Sequence, residues 1–344
     1  MAAKFFNLIA ISTLAILACS FNASPVNALS VERHAARAFP HAHEVIAKKK
    51  RSTSAAPALK PSSSPAPKPS SSPAAKPAQT SSSQPAASSP ASKAAPANNN
   101  GGGGKAGLAW PNGDSNTLKQ WKTAKTNFLY TWAPQIPDGA RSAGFTPVPM
   151  LWGKNQVGDF QKLVKPGYAT HAMGMNEPNQ SGQSDMSPQD GAQLWIQYIE
   201  PLKSQGYTLI SPATTSAPSG KTWMQDWLKA CNGGCNPDRI AVHWYDVSAD
   251  FFKSYVTDFH NTFNKDIWVT EFACQNFNGG AQADAGQVWS FMQEVTGWMD
   301  STPWVEAYFA FGAMKDMQGV NTLDQLMDPS SGTPNALGKF YLGI

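Results

Sequence analysis

Residues 267–274 read Ile-Trp-Val-Thr-Glu-Phe-Ala-Cys, a short and almost wholly apolar run that carries one carboxylate, Glu271. Earlier in the chain, residues 171–179 read His-Ala-Met-Gly-Met-Asn-Glu-Pro-Asn, and Glu177 ends a similar run. Apolar runs of this length are typical of strands that are buried on both faces of a parallel sheet. A carboxylate at the end of such a strand is unfavourable to bury, so its presence indicates a chemical use.

Eight runs of this kind recur between residues 105 and 344, and helical segments separate most of them. One helical segment follows Ser187, a favourable N-cap, and Pro188, and it places Leu194, Tyr198 and Leu202 on one apolar face. Alternating buried strands and amphipathic helices predict an α/β fold with a parallel sheet, and eight repeats predict closure into a single (β/α)8 TIM barrel. The predicted strands are 105–110, 127–132, 145–152, 172–176, 208–212, 240–245, 267–271 and 305–311, and the predicted helices include 222–230 and 283–299.

The alternative architecture is a doubly wound open sheet, which would carry a glycine-rich nucleotide-binding turn after its first strand. Here the turn at residues 110–115 reads Trp-Pro-Asn-Gly-Asp-Ser, and the chain has neither a G-x-G-x-x-G nor a Walker sequence. The closed barrel is therefore the prediction.

Residues 1–104 differ from the rest in composition. Lys4, an apolar stretch at 5–18 and Val26-Asn27-Ala28 predict a signal peptide over 1–28, with a membrane anchor as the alternative. The basic cluster 48–51 predicts a processing site, which would make 29–51 a propeptide, or a solvated run of charge. Residues 52–104 are rich in Ser, Pro and Ala and end in four glycines, which predicts a disordered linker before a catalytic domain over 105–344.

Charge and aromatic content also divide the chain at residue 104. The net charge of +4 combines +9 in residues 1–104 with −5 in residues 105–344, and all 12 Trp and 8 Tyr follow residue 104. An acidic folded part argues against nucleic acid as a partner. Nothing after the signal peptide is long and apolar enough for a membrane span, and we expect a secreted monomer, associated with the cell wall.

The cysteines predict one disulfide. Cys19 leaves with the signal peptide, and Gly233 and Gly234 allow a tight turn that would join Cys231 to Cys235. Pairing of Cys274 with either of these is the alternative. The spacing matches neither a zinc site nor a two-residue redox motif, and no other metal-binding pattern is present.

The residues at the ends of the predicted strands are rich in types that bind sugars. Active sites of such barrels form at this edge, where aromatic rings stack on sugar faces and amides take hydroxyl groups. For each aromatic residue, packing in the core is the alternative. Besides Glu177 and Glu271, the candidates are Trp110, Asn112, Trp132, Trp152, Asn176, Asn179, His243, Tyr245, Phe309 and Phe311. Asn179 also begins a glycosylation sequon, which we expect to be unmodified because it adjoins Glu177.

Three motifs together resemble a known family. Residues 175–179 (Met-Asn-Glu-Pro-Asn), 243–245 (His-Trp-Tyr) and 269–274 (Val-Thr-Glu-Phe-Ala-Cys) resemble the fungal alkali-sensitive-linkage-protein-like glycoside hydrolases of family 128, over residues 105–344. The resemblance implies a retaining endo-β-1,3-glucanase without metal or cofactor. Glu177 would be the general acid/base and Glu271 the nucleophile, with Asn176 on the sugar 2-hydroxyl.

Two other functions stay open. The same mechanism could act on β-1,6-glucan, mannan or xylan, because the shape of the sugar subsites decides the polymer. Alternatively, the protein could be a cell-wall glycoprotein that binds β-glucan without cutting it. Purely structural roles, as a loop cap for Glu177 and an ion-pair partner for Glu271, are the non-catalytic alternatives at the two positions.

Overall fold

The computed structural model describes residues 104–344. The predicted signal peptide (1–28), propeptide (29–51) and linker up to residue 103 lie outside the described residues. Gly104, the last residue of the predicted linker, already donates its N–H to the carbonyl of Ala124 at 2.7 Å. Among residues 104–344, no helix has both the length and the apolar character that crossing a membrane requires.

Eight parallel strands form a single sheet in the order β3-β2-β1-β8-β7-β6-β5-β4. The segment just after β3 pairs with β4 through a parallel bridge between Met150 and Met173, which closes the cylinder. The predicted (β/α)8 barrel is therefore confirmed. The strands are β1 Ala106–Ala109, β2 Thr126–Tyr130, β3 Thr146–Pro147, β4 His171–Met173, β5 Thr208–Thr214, β6 Arg239–Tyr245, β7 Ile267–Ala273 and β8 Val305–Ala310.

Strand β3 is much shorter than the predicted run 145–152, and two prolines explain the difference. Pro147 and Pro149 lack the N–H that a central strand must donate, so regular pairing stops. The barrel is nevertheless closed here, since Met173 donates to the carbonyl of Pro149 and accepts from the N–H of Leu151, both at 3.0 Å.

Seven helices surround the barrel in the described residues. The side chain of Ser187 accepts from the N–H of Asp190, and Pro188 occupies the first turn, as predicted. The helix does not run regularly as far as Leu202, however: a π turn and a 3₁₀ turn that contains Pro201 replace its second half. The helices are α1 Gly139–Ser142, α2 Val157–Leu163, α3 Pro188–Leu194, α4 Pro218–Cys231, α5 Ala249–Phe263, α6 Ala285–Ser301 and α7 Ala336–Leu342.

The structure shows the pairing of the three cysteines among the described residues. Cys231 and Cys235 form a disulfide across the turn that ends α4, with Cα atoms 5.5 Å apart. Cys274 is buried with a free thiol, and burial raises its pKa to about 12, so the thiol stays protonated and unreactive.

Apolar side chains form one core between the sheet and the helices and a second core inside the barrel. Phe309 lies in the inner core and fills the space beside Gly107. A Cβ on Gly107 would lie 2.1 Å from the Phe309 ring, closer than any real contact. Gly107 is thus required by close packing inside the barrel.

We predict that Gly107→Ala destabilises the protein by about 1–3 kcal/mol, because the added methyl group overpacks the barrel. Denaturant unfolding measures this. Gly297→Ala is the matched control: it lies in α6 with nothing near its missing Cβ, and it should stabilise by up to about 1 kcal/mol. Equal stability of Gly107→Ala and wild type would contradict the packing argument.

Candidate active site

The two glutamates meet at the carboxyl-terminal edge of the barrel. Glu271 lies near the end of β7, and Glu177 follows β4 on the loop that leads to α3. Between them stands β6, where His243 pairs with Glu271 just after a shift of register at Val242. Such irregularities commonly re-aim side chains near functional sites.

The side chain of His243 lies between the two carboxylates. Its Nδ1 is 2.9 Å from Glu177 Oε1 and 3.5 Å from Glu271 Oε2. One oxygen of each carboxylate and this nitrogen all lie within 4.8 Å of one another. Glu177 is 8% exposed and Glu271 is 5% exposed, so both carboxylates are nearly shielded from water. A ligand held here would contact both.

Two further groups donate hydrogen bonds to Glu271. The indole N–H of Trp132, just beyond β2, donates to Oε1 at 2.7 Å, and the hydroxyl of Tyr245 at the end of β6 donates to Oε2 at 2.5 Å. Burial raises the pKa of Glu271, and the charge of Glu177 adds to this effect. His243 and the two donors oppose the rise because they stabilise the carboxylate form.

The charges of the site also act on its other polar groups. Burial alone would lower the pKa of His243, but the two carboxylates outweigh it and raise the pKa, which favours the imidazolium form. Burial and the same carboxylates raise the pKa of Tyr245 well above its ordinary value, so its phenol keeps its proton and remains a donor. The raised pKa of His243 therefore favours a proton on the imidazole between the two carboxylates.

The backbone is strained at two positions beside the carboxylates. Trp132 has φ +56° and Glu177 has φ +42°, in the left-handed region that bulky residues rarely adopt. Each such residue costs on the order of 1–3 kcal/mol and persists only where its surroundings hold it. The N–H of Glu177 donates to the carbonyl of Ala213 on β5 at 2.7 Å, which fixes the carboxylate over the barrel.

Several of the predicted aromatic residues surround the two carboxylates. The rings of Trp132, Phe311 and Tyr245 follow one another with centroid separations of 5.8 and 5.9 Å, and all three are partly exposed. Trp152 is also partly exposed, and its carbonyl accepts from the N–H of Asn176. Sequence reasoning missed Phe277, which is 47% exposed and 5.5 Å from Tyr245. The only available signal was its place in the loop after β7.

Two predicted sugar-binding residues are wrong. Trp110 is fully buried behind β1, where it packs on Trp121 at 5.7 Å. Phe309 is fully buried inside the barrel against Tyr130 and Trp268. The predicted aromatic residues therefore divide according to the face that each side chain takes: those that face the barrel mouth lie near the carboxylates, and the others pack in the core.

Two predicted asparagines tie loops together. Asn112 donates to the carbonyl of Ala313 in the loop after β8 at 2.8 Å. The side-chain amide of Asn179 donates to Thr215 and Ser219 and accepts from the N–H of Thr215, which joins the loops after β4 and β5. The amide nitrogen of Asn179 is thus engaged within the fold, and the absence of a glycan there stays a prediction.

Glu177, His243 and Glu271 are also the described residues whose ligand atoms lie close enough to share a metal ion. Both oxygens of Glu271 and one of Glu177 already have hydrogen-bonding partners in the protein. A metal would have to displace these partners. The arrangement as it stands suits proton transfer and nucleophilic attack by the side chains themselves.

Comparison with known proteins places this site in a family. Residues 107–341 match the sequence profile described as the glycosyl hydrolase catalytic core. A solved structure of family 128, a subgroup III curdlan-specific exo-β-1,3-glucanase from Blastomyces gilchristii in complex with glucose, is 31% identical. It covers 71% of this chain and 99% of its own, with a TM-score of 0.57. The chain belongs to glycoside hydrolase family 128.

Other members of family 128 differ in what they do. A subgroup I endo-β-1,3-glucanase from Amycolatopsis mediterranei in complex with laminaritriose is 26% identical (TM-score 0.59; 70% and 99% of the two chains covered). A subgroup VII oligosaccharide-binding protein from Cryptococcus neoformans is also 26% identical (TM-score 0.60; 70% and 93%). Membership of family 128 is therefore compatible with cleavage and with binding alone.

A curated relative matches the same region. The alkali-sensitive linkage protein 1 of Schizosaccharomyces pombe is 29% identical over 244 residues, which are 70% of this family 128 chain. The match spans 44% of the length of that curated relative, so it concerns the barrel and not the whole of the longer protein.

We predict that Tyr245→Phe raises the pKa of Glu271 further, because the ionised carboxylate loses a donor. Activity that requires ionised Glu271 would then appear only at higher pH. The acidic limb of the pH profile of kcat/KM should shift to higher pH, and activity below it should fall about 10- to 100-fold. Tyr255→Phe is the matched control, since the Tyr255 hydroxyl is buried and has no hydrogen-bonding partner within residues 104–344, and it should leave the profile unchanged. An unshifted pH profile in Tyr245→Phe would contradict the argument that the Tyr245 hydroxyl stabilises ionised Glu271.

Proposed function

We propose that the barrel is a retaining endo-β-1,3-glucanase in which Glu177 is the general acid/base and Glu271 the nucleophile. The observation that carries this proposal is the meeting of both buried carboxylates around His243, with oxygens within 4.8 Å of each other. Retaining glycosidases separate their carboxyl groups by about 5–5.5 Å and inverting ones by about 6.5–9.5 Å. Close approach of one oxygen from each carboxylate supports the retaining arrangement.

The division of roles follows from the hydrogen bonds. Glu271 accepts from Trp132 and Tyr245, and both donors favour the ionised form that a nucleophile needs. Glu177 has one side-chain partner, His243, which is itself favoured in its protonated form. Among the described residues no indole or phenol group donates to Glu177, which leaves it the acid/base role.

The reaction then proceeds in two displacements. Glu177 gives its proton to the glycosidic oxygen as that bond breaks, and Glu271 forms a bond to the anomeric carbon. In the second step Glu177 takes a proton from water, the water oxygen bonds to the anomeric carbon, and the bond to Glu271 breaks. The product keeps the β configuration, and both glutamates return to their starting states.

The substrate assignment rests on the family. The solved relatives with glucose or laminaritriose act on β-1,3-glucan, which supports the same polymer here. Exo action is the second candidate, because the relative with 31% identity is an exo-enzyme. The product pattern on curdlan separates the two: an endo-enzyme releases a series of oligosaccharides, and an exo-enzyme releases one small sugar from the first time point. The same assay on β-1,6-glucan, mannan and xylan tests the polymer.

Secretion and action at a fungal cell wall are part of the proposal. They rest on the predicted signal peptide and linker, which lie outside the described residues. The test of secretion is to detect the protein in culture medium or in a wall fraction. A variant without residues 1–28 should be missing from both. This test is independent of the catalytic assays.

We predict that Glu177→Gln lowers kcat on curdlan oligosaccharides about 10²- to 10⁴-fold, because it removes acid/base catalysis. Glu271→Gln should abolish turnover, because no glycosyl-enzyme can form. Glu294→Gln, an exposed glutamate of α6 paired with Lys253, is the matched control and should keep full activity.

Azide separates the two roles. Glu177→Ala with azide should yield a β-glycosyl azide, and Glu271→Ala with azide an α-glycosyl azide, both identified by NMR. A wild-type protein that binds β-1,3-glucan oligosaccharides and releases no reducing ends would overturn the enzymatic proposal in favour of binding alone.

A further inference from the structure

Asn176 stands directly before Glu177 and has an incomplete set of hydrogen bonds. Its side chain is 4% exposed, and its Oδ1 is buried without a partner among the described residues. Buried acceptors in folded proteins are nearly always satisfied, so an orphan beside a carboxylate of the site calls for an explanation. A hydroxyl group of a bound sugar is a donor that would satisfy it.

The other edge of the same amide is held by Gln183. Asn176 Nδ2 donates to Gln183 Oε1 at 3.1 Å. An asparagine amide presents an acceptor on one edge and a donor pair on the other, and its neighbours decide which edge faces where. An acceptor at Gln183 draws the nitrogen edge toward itself, which turns Oδ1 the other way.

The loop after β4 holds Gln183 in place. The N–H of Gln183 donates to the carbonyl of Gln180, whose own N–H donates to the carbonyl of Glu177. The N–H of Ser184 donates a hydrogen bond to the carbonyl of Asn176 at 3.2 Å. Gly182, with φ +85°, allows the reversal. The loop thus folds back so that the side chain of residue 183 meets the amide seven positions earlier.

We infer that Gln183 is a positioning residue, which orients the Asn176 amide so that Oδ1 accepts a hydrogen bond from a hydroxyl of the sugar at the cleavage point. The inference rests on the proposed function for the identity of that sugar. The hydroxyl nearest the anomeric carbon is the 2-hydroxyl, and hydrogen bonds to it strengthen in the transition state. Gln183 therefore acts on the reaction through Asn176 and does not touch the reacting atoms.

Two variants of Gln183 separate orientation from simple packing. Gln183→Met keeps the length of the side chain and removes the acceptor, whereas Gln183→Glu keeps an acceptor at the same place. The substrates are the nitrophenyl β-glycoside of laminaritriose and its counterpart without the 2-hydroxyl on the sugar bonded to nitrophenol. Each variant is measured at its own optimum pH, since Gln183→Glu adds a charge near the site, and thermal unfolding confirms that each is folded.

We expect Gln183→Met to lower kcat/KM on the parent substrate about tenfold and to leave kcat/KM on the 2-deoxy substrate within about twofold of wild type. Gln183→Glu should recover most of the loss. In an Asn176→Ala background, Gln183→Met should have no further effect. Equal losses on both substrates, or a loss in Gln183→Glu as large as in Gln183→Met, would overturn the inference.

Failure of the proposed function gives a different result. If wild type hydrolyses neither substrate, the enzymatic proposal fails, and calorimetric binding of laminaritriose and its reducing-end 2-deoxy counterpart replaces kinetics. A loss of affinity in Gln183→Met that is confined to the parent sugar would still support the orientation of Asn176. An equal loss for both sugars would refute it.

Discussion

The contact of one imidazole with two buried carboxylates is the constraint on which the rest of the site depends. Two carboxylates with oxygens within 4.8 Å would repel each other strongly if both were ionised where water is excluded. His243 offsets this repulsion, and Trp132 and Tyr245 satisfy the oxygens of Glu271. These groups come from β2, β4, β6 and β7, so the arrangement exists only if those strands end at one point. A closed parallel barrel brings strand ends together in this way, and an open sheet would separate them.

The backbone around the carboxylates shows how local strain is tolerated. Trp132 and Glu177 both adopt left-handed conformations, and both are fixed by hydrogen bonds to neighbouring strands or to the opposite carboxylate. In each case the unusual backbone turns a side chain toward the centre of the barrel mouth. The strain is local, whereas the closed sheet and the apolar clusters that support it extend over the whole domain.

Sequence reasoning reached the barrel because apolar runs and amphipathic segments are local signals that repeat. It also placed Glu177 and Glu271 at strand ends, since parallel strands end at one edge. It failed where the outcome depended on which face a side chain takes: Trp110 and Phe309 are core, although both lie close to strand ends. The shortness of β3 could have been predicted from Pro147 and Pro149. The contact of Gln183 with Asn176 could not be predicted from the sequence, because it depends on how an irregular loop folds back.

The energetic character of the site bears on the choice between the proposed enzyme and a sugar-binding protein of the same fold. Binding a neutral sugar requires groups that match its hydroxyls and aromatic faces, and it does not require two buried acids with oxygens within 4.8 Å of each other. Burying them is unfavourable, the strained residues add on the order of 1–3 kcal/mol each, and Oδ1 of Asn176 is left unpaired. Such features persist where interactions made only in the transition state depend on them. The combination of close carboxylates, donors on one of them, and an orphan acceptor beside the other therefore favours bond cleavage over binding alone.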